Sequence, residues 1–230
     1  MALNGLIFDL DGTLANTLPI CVAAFRAVFA QLGGRSYTDE EITALFGMTE
    51  EGTIRQVLGE NWRVGLDFYL REYERRHVVL TEPFAGMREL LDELHRLGIR
   101  LALVTGKGAE SAEISLRVLG LRDDFEFVEV GSAEGPIKPR GLRRILGRWE
   151  FPAQQVAYVG DTGYDMQAAA GAGMVGLGAA WAATATVRQA ASGGVLPAAV
   201  FSQPQDLMVW VRERRNVQRA NGVGEAPQGL

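Results

Sequence analysis

Cysteine is nearly absent from the chain: Cys21 is the only one among 230 residues. A lone thiol forms no internal disulfide, which sets aside the stapled secreted scaffolds. Its setting in CVAAFRAVF, an apolar helical pattern, reads as a small buried hydrophobe rather than a nucleophile. Histidine is almost as scarce. His77 and His95 both stand in charged helical stretches, YERRHVV and DELHRLG, and read as surface residues. No apolar run is long enough to span a membrane, and no basic stretch precedes the short apolar start. Neither a membrane anchor nor a secretory leader is therefore expected, and a reducing cytoplasm fits best. Positive charge is in deficit too, with 23 Lys and Arg against 28 Asp and Glu for a net charge of −5. A nucleic-acid partner is not favoured. An acidic protein that handles an anionic substrate needs a local cationic centre or a metal.

The rest of the composition is that of a soluble globular protein, with 47% hydrophobic and 22% charged residues. The length suits one core with a large insertion. Short apolar runs recur at 6–10 (LIFDL), 100–105 (RLALVT), 125–130 (FEFVEV), 155–160 (QVAYVG), 174–178 (MVGLG) and 198–201 (AAVF). Most are followed by a helical pattern. Near-continuous apolar strands alternating with helices predict an α/β fold, a parallel sheet covered on both faces.

Residues 18–81 break this rhythm and carry no convincing strand. About four helices are expected there, one opened by a capping box of Thr38 and Glu41 and another capped by Thr49. The segment reads as a helical insertion in a core made of residues 1–17 and 82–215. Residues 216–230, polar and rich in glycine, read as a flexible tail.

Ligands of open parallel sheets bind beyond the carboxyl ends of the strands. Asp9 and Asp11 close the first apolar run, Thr105 and Gly106 the second, and Asp161 and Asp165 follow the fourth. Lys138 falls in the loop after the third. Three crowded carboxylates repel one another unless a cation neutralises them, and oxygen ligands of this kind suit Mg²⁺ shared with a phosphate. Lys138, Thr105 and the amides near Gly12 and Gly106 are candidates to bind phosphate oxygens. The set suits phosphoryl transfer. Asp9 is the candidate nucleophile, and Asp11, one step into the loop, the acid and base.

These residues resemble the haloacid dehalogenase-like superfamily, through DLDGTL, LVTG, Lys138 in IKPRG, and VGDTGYDMQAAAGAGM, in order along residues 7–174. The helical insertion resembles the cap of the phosphoglycolate phosphatase-like members. The resemblance implies a Rossmann-like core under a mobile helical cap. It also implies Mg²⁺ held by Asp9, the backbone carbonyl of Asp11, and Asp161, with Asp165 in support. Thr105 and Lys138 would bind the phosphoryl group.

The expected activity is hydrolysis of a small phosphorylated metabolite, with phosphoglycolate as first guess and pyrophosphate or a sugar phosphate as others. A phosphosugar mutase is the nearest rival, but such mutases carry a basic residue where this chain has Glu50. A phospho-accepting signalling module is the rival from another class. In the cap, GMTEEGTIRQ offers Thr49 and Arg55 toward a substrate, although a solvated helix face also explains Arg55. Lys107 reads equally as a surface residue or an anion contact. Monomer and homodimer both remain open.

Overall fold

A computed structural model describes residues 3–189 and 194–222. Six strands form one parallel sheet: β1 (Gly5–Phe8), β2 (Arg100–Val104), β3 (Phe127–Glu129), β4 (Val156–Gly160), β5 (Val175–Ala179) and β6 (Ala199–Phe201). Their order is β3-β2-β1-β4-β5-β6. The chain builds outward from β1 in both directions, so the order reverses beside β1 and β4, where a crevice opens at their carboxyl ends.

The strands are nearly all apolar because both faces are covered. In β1, Leu6 and Phe8 enter one core and Ile7 the other. In β4, Ala157 and Val159 share the first core, while Val156 and Tyr158 share the second. Side chains alternate across a strand, so a strand buried on both sides carries no polar alternation.

Between β1 and β2 lie α1 (Leu18–Leu32), α2 (Asp39–Thr43), α3 (Glu50–Leu58), α4 (Trp62–Arg76) and α5 (Met87–Arg96). The first four pack on one another, through Phe25, Phe29, Ile42, Ile54, Tyr69 and Tyr73, in a core of their own. The capping box of Thr38 and Glu41 is present, and Thr49 caps α3 by accepting from the Gly52 N–H. By contrast, α5 belongs to the sheet: Met87, Leu90, Leu91 and Leu94 recur at helical spacing and join the first core.

The remaining helices are α6 (Ala109–Val118), α7 (Lys138–Trp149), α8 (Gly163–Gly171) and α9 (Pro204–Gly222). Here the structure departs from expectation. The helix α9 continues through 216–222, where a loose tail was expected, and residues 223–230 lie outside the described ones. Among the described residues, no helix is long and apolar enough to cross a membrane.

His77 is also corrected, since it is fully buried at the end of α4. Its Nδ1 donates to the Leu80 carbonyl at 3.0 Å, and Nε2 lies 3.1 and 3.3 Å from the hydroxyl oxygens of Ser115 and Tyr73. Burial lowers its pKa and favours the neutral ring. This contact ties the helical insertion to α6.

Candidate active site

The charged rim is assembled by four separate elements. Asp9 directly follows β1, and its N–H continues the ladder to Val159 O at 2.9 Å. Lys138 opens α7, so it stands on a helix start rather than in the expected loop. Its Nζ donates to Asp9 Oδ2 at 2.8 Å and to Asp165 Oδ1 at 2.6 Å. Asp165, in the first turn of α8, also takes the Thr162 N–H and hydroxyl on Oδ2, and the Tyr158 hydroxyl on Oδ1. Both oxygens of Asp165 are therefore engaged.

Asp161, after β4, completes the cluster. One carboxylate oxygen from each of Asp9, Asp161 and Asp165 lies within 4.8 Å of the others. Two buried oxygens, Asp9 Oδ1 and Asp161 Oδ2, have no hydrogen-bond partner. Buried carboxylate oxygens without donors are rare, because each forfeits its solvation. Unpartnered oxygens from two acids beside a third acid fit a hard divalent cation.

The ionisation of the cluster says the same. Burial pushes the Asp9 carboxyl up to about 7, Lys138 opposing and Asp165 and Asp11 adding to the rise. Burial pushes Asp161 up to about 8, with Asp9 and Asp165 adding. Burial also works against the Lys138 ammonium, yet Asp165 and Asp9 outweigh it and hold its pKa well above the ordinary value.

Gly12 brings the loops after β1 and β4 together. Its φ is +75°, and a Cβ there would collide with the Asp161 carboxylate, so only glycine fits. Its N–H does not point to a ligand as expected; it donates to Ala15 O at 2.9 Å and closes the turn.

A cavity of about 490 Å³ lies between the rim and the helical insertion. Asp9, Asp11, Gly106, Lys138 and Asp161 line it. Thr105 is fully buried beneath it, its hydroxyl accepting from the Lys107 N–H at 3.2 Å.

Arg55 and Thr49 take the alternative roles open to them, a solvated helix face and a helix cap, rather than substrate contacts. Arg55 pairs with Glu51 one helical turn away and lies over the Trp62 ring, 4.1 Å from its centroid. It does not line the cavity, because the buried face of α3 is formed by Glu50, Thr53 and Ile54. Thr49 spends its hydroxyl on the helix cap and its N–H on Ser132 O.

Three residues beside the site carry more than their sequence setting suggests. Lys107 is 4% exposed, which rules out the surface reading. Its ammonium donates to Cys21 Sγ at 3.0 Å and lies 3.3 Å from Asp11 Oδ1 and 3.7 Å from Glu50 Oε1. Cys21 is thus buried as expected, yet it lines the cavity and holds a lysine. Burial pushes its thiol up to about 12, against the pull of Lys107, so it is no thiolate nucleophile. Asp11 Oδ1 also accepts from the Thr17 hydroxyl. Adjacency to LVTG was the one sequence signal for Lys107, and the position after Thr49 in the cap was the one for Glu50; Cys21 had none.

These features define a class: a Rossmann-type α/β core with an acid-rich rim and a helical insertion after its first strand. The chain belongs to the haloacid dehalogenase-like hydrolase family, whose model matches residues 6–179. Phosphoglycolate phosphatase of Pseudomonas syringae pv. tomato is 30% identical over 182 residues, covering 74% of this chain and 66% of that one. Tyrosine-protein kinase PtkA of Mycobacterium tuberculosis is 30% identical over 171 residues, covering 73% of this chain and 59% of that one. The chain thus spans slightly less than two thirds of the length of these curated relatives. Among solved structures, CbbY from Rhodobacter sphaeroides in complex with phosphate superposes with a TM-score of 0.75 at 22% identity, over 89% of this chain and 96% of that one. That likeness concerns the fold.

Proposed function

We propose that the protein is a Mg²⁺-dependent phosphatase that hydrolyses a small phosphomonoester through an aspartyl phosphate. One observation carries this reading: Lys138 bridges Asp9 and Asp165, while Asp9 and Asp161 keep buried oxygens without partners. A nucleophile held in place by an ammonium, beside a cation-shaped gap in an acid cluster, suits attack on a phosphoryl group. Asp9 and Asp161, with Asp165 behind them, would hold the ion. A divalent cation bound there would neutralise the charge shared by the carboxylates and the phosphoryl oxygens.

The chain's own residues do the rest. An Asp9 oxygen bonds to phosphorus as the ester P–O bond breaks. Asp11 gives its proton to the departing alkoxide oxygen. Asp11 then takes a proton from water, whose oxygen attacks phosphorus and displaces Asp9, so phosphate leaves and both acids return to their starting states. Lys138 orients Asp9 and offsets charge on the phosphoryl group. Thr17 and Lys107 fix the position of Asp11. In this reading residues 18–81 are a cap that covers the core of 1–17 and 82–215 and shields the acyl phosphate from stray water.

The name of the Pseudomonas relative makes phosphoglycolate the reference compound. The test is phosphate release from a panel of phosphomonoesters by purified protein, with Mg²⁺ and after exhaustive chelation. Turnover that needs the metal is expected. Undiminished turnover after chelation, or none on any phosphomonoester, would overturn the proposal.

A further inference from the structure

We infer that the site accepts the phosphate ester of an uncharged, largely apolar alcohol, and that Glu50 excludes a leaving group bearing a second anion. This rests on the phosphatase reading above and names the substrate class within it.

Lys138 is committed to Asp9 and Asp165. The other ammonium lining the cavity belongs to Lys107, and two carboxylates already face it, Asp11 at 3.3 Å and Glu50 at 3.7 Å. Asp11 is the proton donor of the reading above, so Glu50 is the anion that balances this ammonium, and an anionic tail there would be a second anion on one cation among buried side chains.

The donors at the start of α6 are those a carboxylate or second phosphate would seek. Glu50 already holds them, with Oε2 on the Gly108 N–H at 2.7 Å and Oε1 on the Ser111 hydroxyl at 2.6 Å. Glu50 is only 6% exposed, so this is an internal contact between cap and core rather than a passing surface pair. It acts as a built-in anion where a substrate's anion would otherwise bind, a form of selection against the wrong partner.

Leu18, Phe25, Phe46, Met48, Tyr69 and Ile137 supply apolar lining to the same cavity. Arg55, the cap cation nearest in sequence, is turned away to Glu51 and Trp62. A largely apolar wall binds an aromatic or branched alcohol and leaves a carboxylate unpaired.

The experiment compares kcat/KM for benzyl phosphate with that for phosphoglycolate and pyrophosphate, with p-nitrophenyl phosphate as a general reporter. Benzyl phosphate and phosphoglycolate are both esters of primary alcohols, so their difference reports the pocket. Wild-type protein should favour benzyl phosphate by about tenfold or more. In Glu50→Gln the benzyl-to-glycolate ratio should fall by about tenfold, because Lys107 regains a net positive field. Turnover of p-nitrophenyl phosphate with equal or higher kcat/KM on phosphoglycolate would overturn this inference and leave the phosphatase reading standing. Silence on every ester would overturn both. The wild-type ratio decides the matter even if Glu50→Gln does not fold.

Discussion

On the core side of the cavity, Asp9 and Asp161 follow β1 and β4, and Lys138 opens α7 and is held by its bonds to Asp9 and Asp165. On the helical side, Phe25 and Tyr69 of a separate apolar core line the same space, together with Met48 and with Phe46, which packs against Phe25. The core wall is charged and mutually locked: moving one group leaves a buried partner uncompensated. The helical wall is held by packing, which tolerates exchange of one apolar group for another of similar volume. Chemistry and selectivity therefore sit on different walls, and each can be broken separately.

The largest effect belongs to the core wall. Asp9→Asn should lower kcat by several powers of ten, since the amide has the shape of the acid but is a poor nucleophile. Steady-state kinetics on the folded variant checks this, and a variant retaining a tenth of the wild-type kcat would remove Asp9 from the mechanism.

Next comes the lysine that locks this wall. Lys138→Met leaves Asp9 and Asp165 buried without their ammonium. Loss of one partner from a buried ion cluster costs about 3–5 kcal/mol. Urea unfolding in the presence of chelator should show a midpoint shifted to match, and an unshifted midpoint would mean that the lock is weak.

A smaller effect should follow the metal. Burial raises the folded-state pKa values of Asp9 and Asp161 to about 7 and 8, above the ordinary carboxylate value. Without metal the folded state then holds protons that the unfolded chain has lost, so stability falls as pH rises from the ordinary carboxylate range through 7 and 8. A bound cation favours the ionised acids and reverses this trend. Thermal unfolding at pH 6 and pH 8, with chelator or Mg²⁺, should show Mg²⁺ stabilisation growing with pH. At a hundred times the dissociation constant it amounts to about 2.7 kcal/mol. Asp161→Asn should lose most of it; an equal Mg²⁺ shift in that variant would place the ion elsewhere.

The smallest effect is expected on the helical wall's outer face. Arg55→Ala removes a half-exposed pair with Glu51, worth about 0.2–0.5 kcal/mol. Both stability and kcat/KM for phosphoglycolate should stay near wild type. A KM raised tenfold would mean that Arg55 swings into the cavity and that the two walls share the charge.

The sheet was legible because its strands are buried on both sides and therefore read as unbroken apolar runs, as in RLALVT and QVAYVG. Their ends were less so: β1 stops at Phe8, and Asp9 continues only the hydrogen-bond ladder. The acids and Lys138 were legible as a group because strand ends in a parallel sheet converge on one rim. What the cap does with its polar residues was not. Arg55 and Glu50 are five residues apart on one helix, and which of them faces inward depends on how α3 docks. Lys107, Cys21 and Glu50 meet only in three dimensions, across separations that no local pattern spans. His77 looked exposed among arginines, yet α6 covers it with Ser115. The helix α9 runs past a polar stretch because its earlier turns are anchored by Leu207 and Val211 in the first core.

The central claim is that Asp9 becomes phosphorylated. Wild-type protein turning over a phosphomonoester with Mg²⁺ is quenched in acid, digested and examined by peptide mass spectrometry. The account predicts one phosphoryl group on the peptide that begins this chain, localised to Asp9 and missing in Asp9→Asn. A phosphoryl group on any other residue, or steady turnover with none trapped on Asp9, would contradict it.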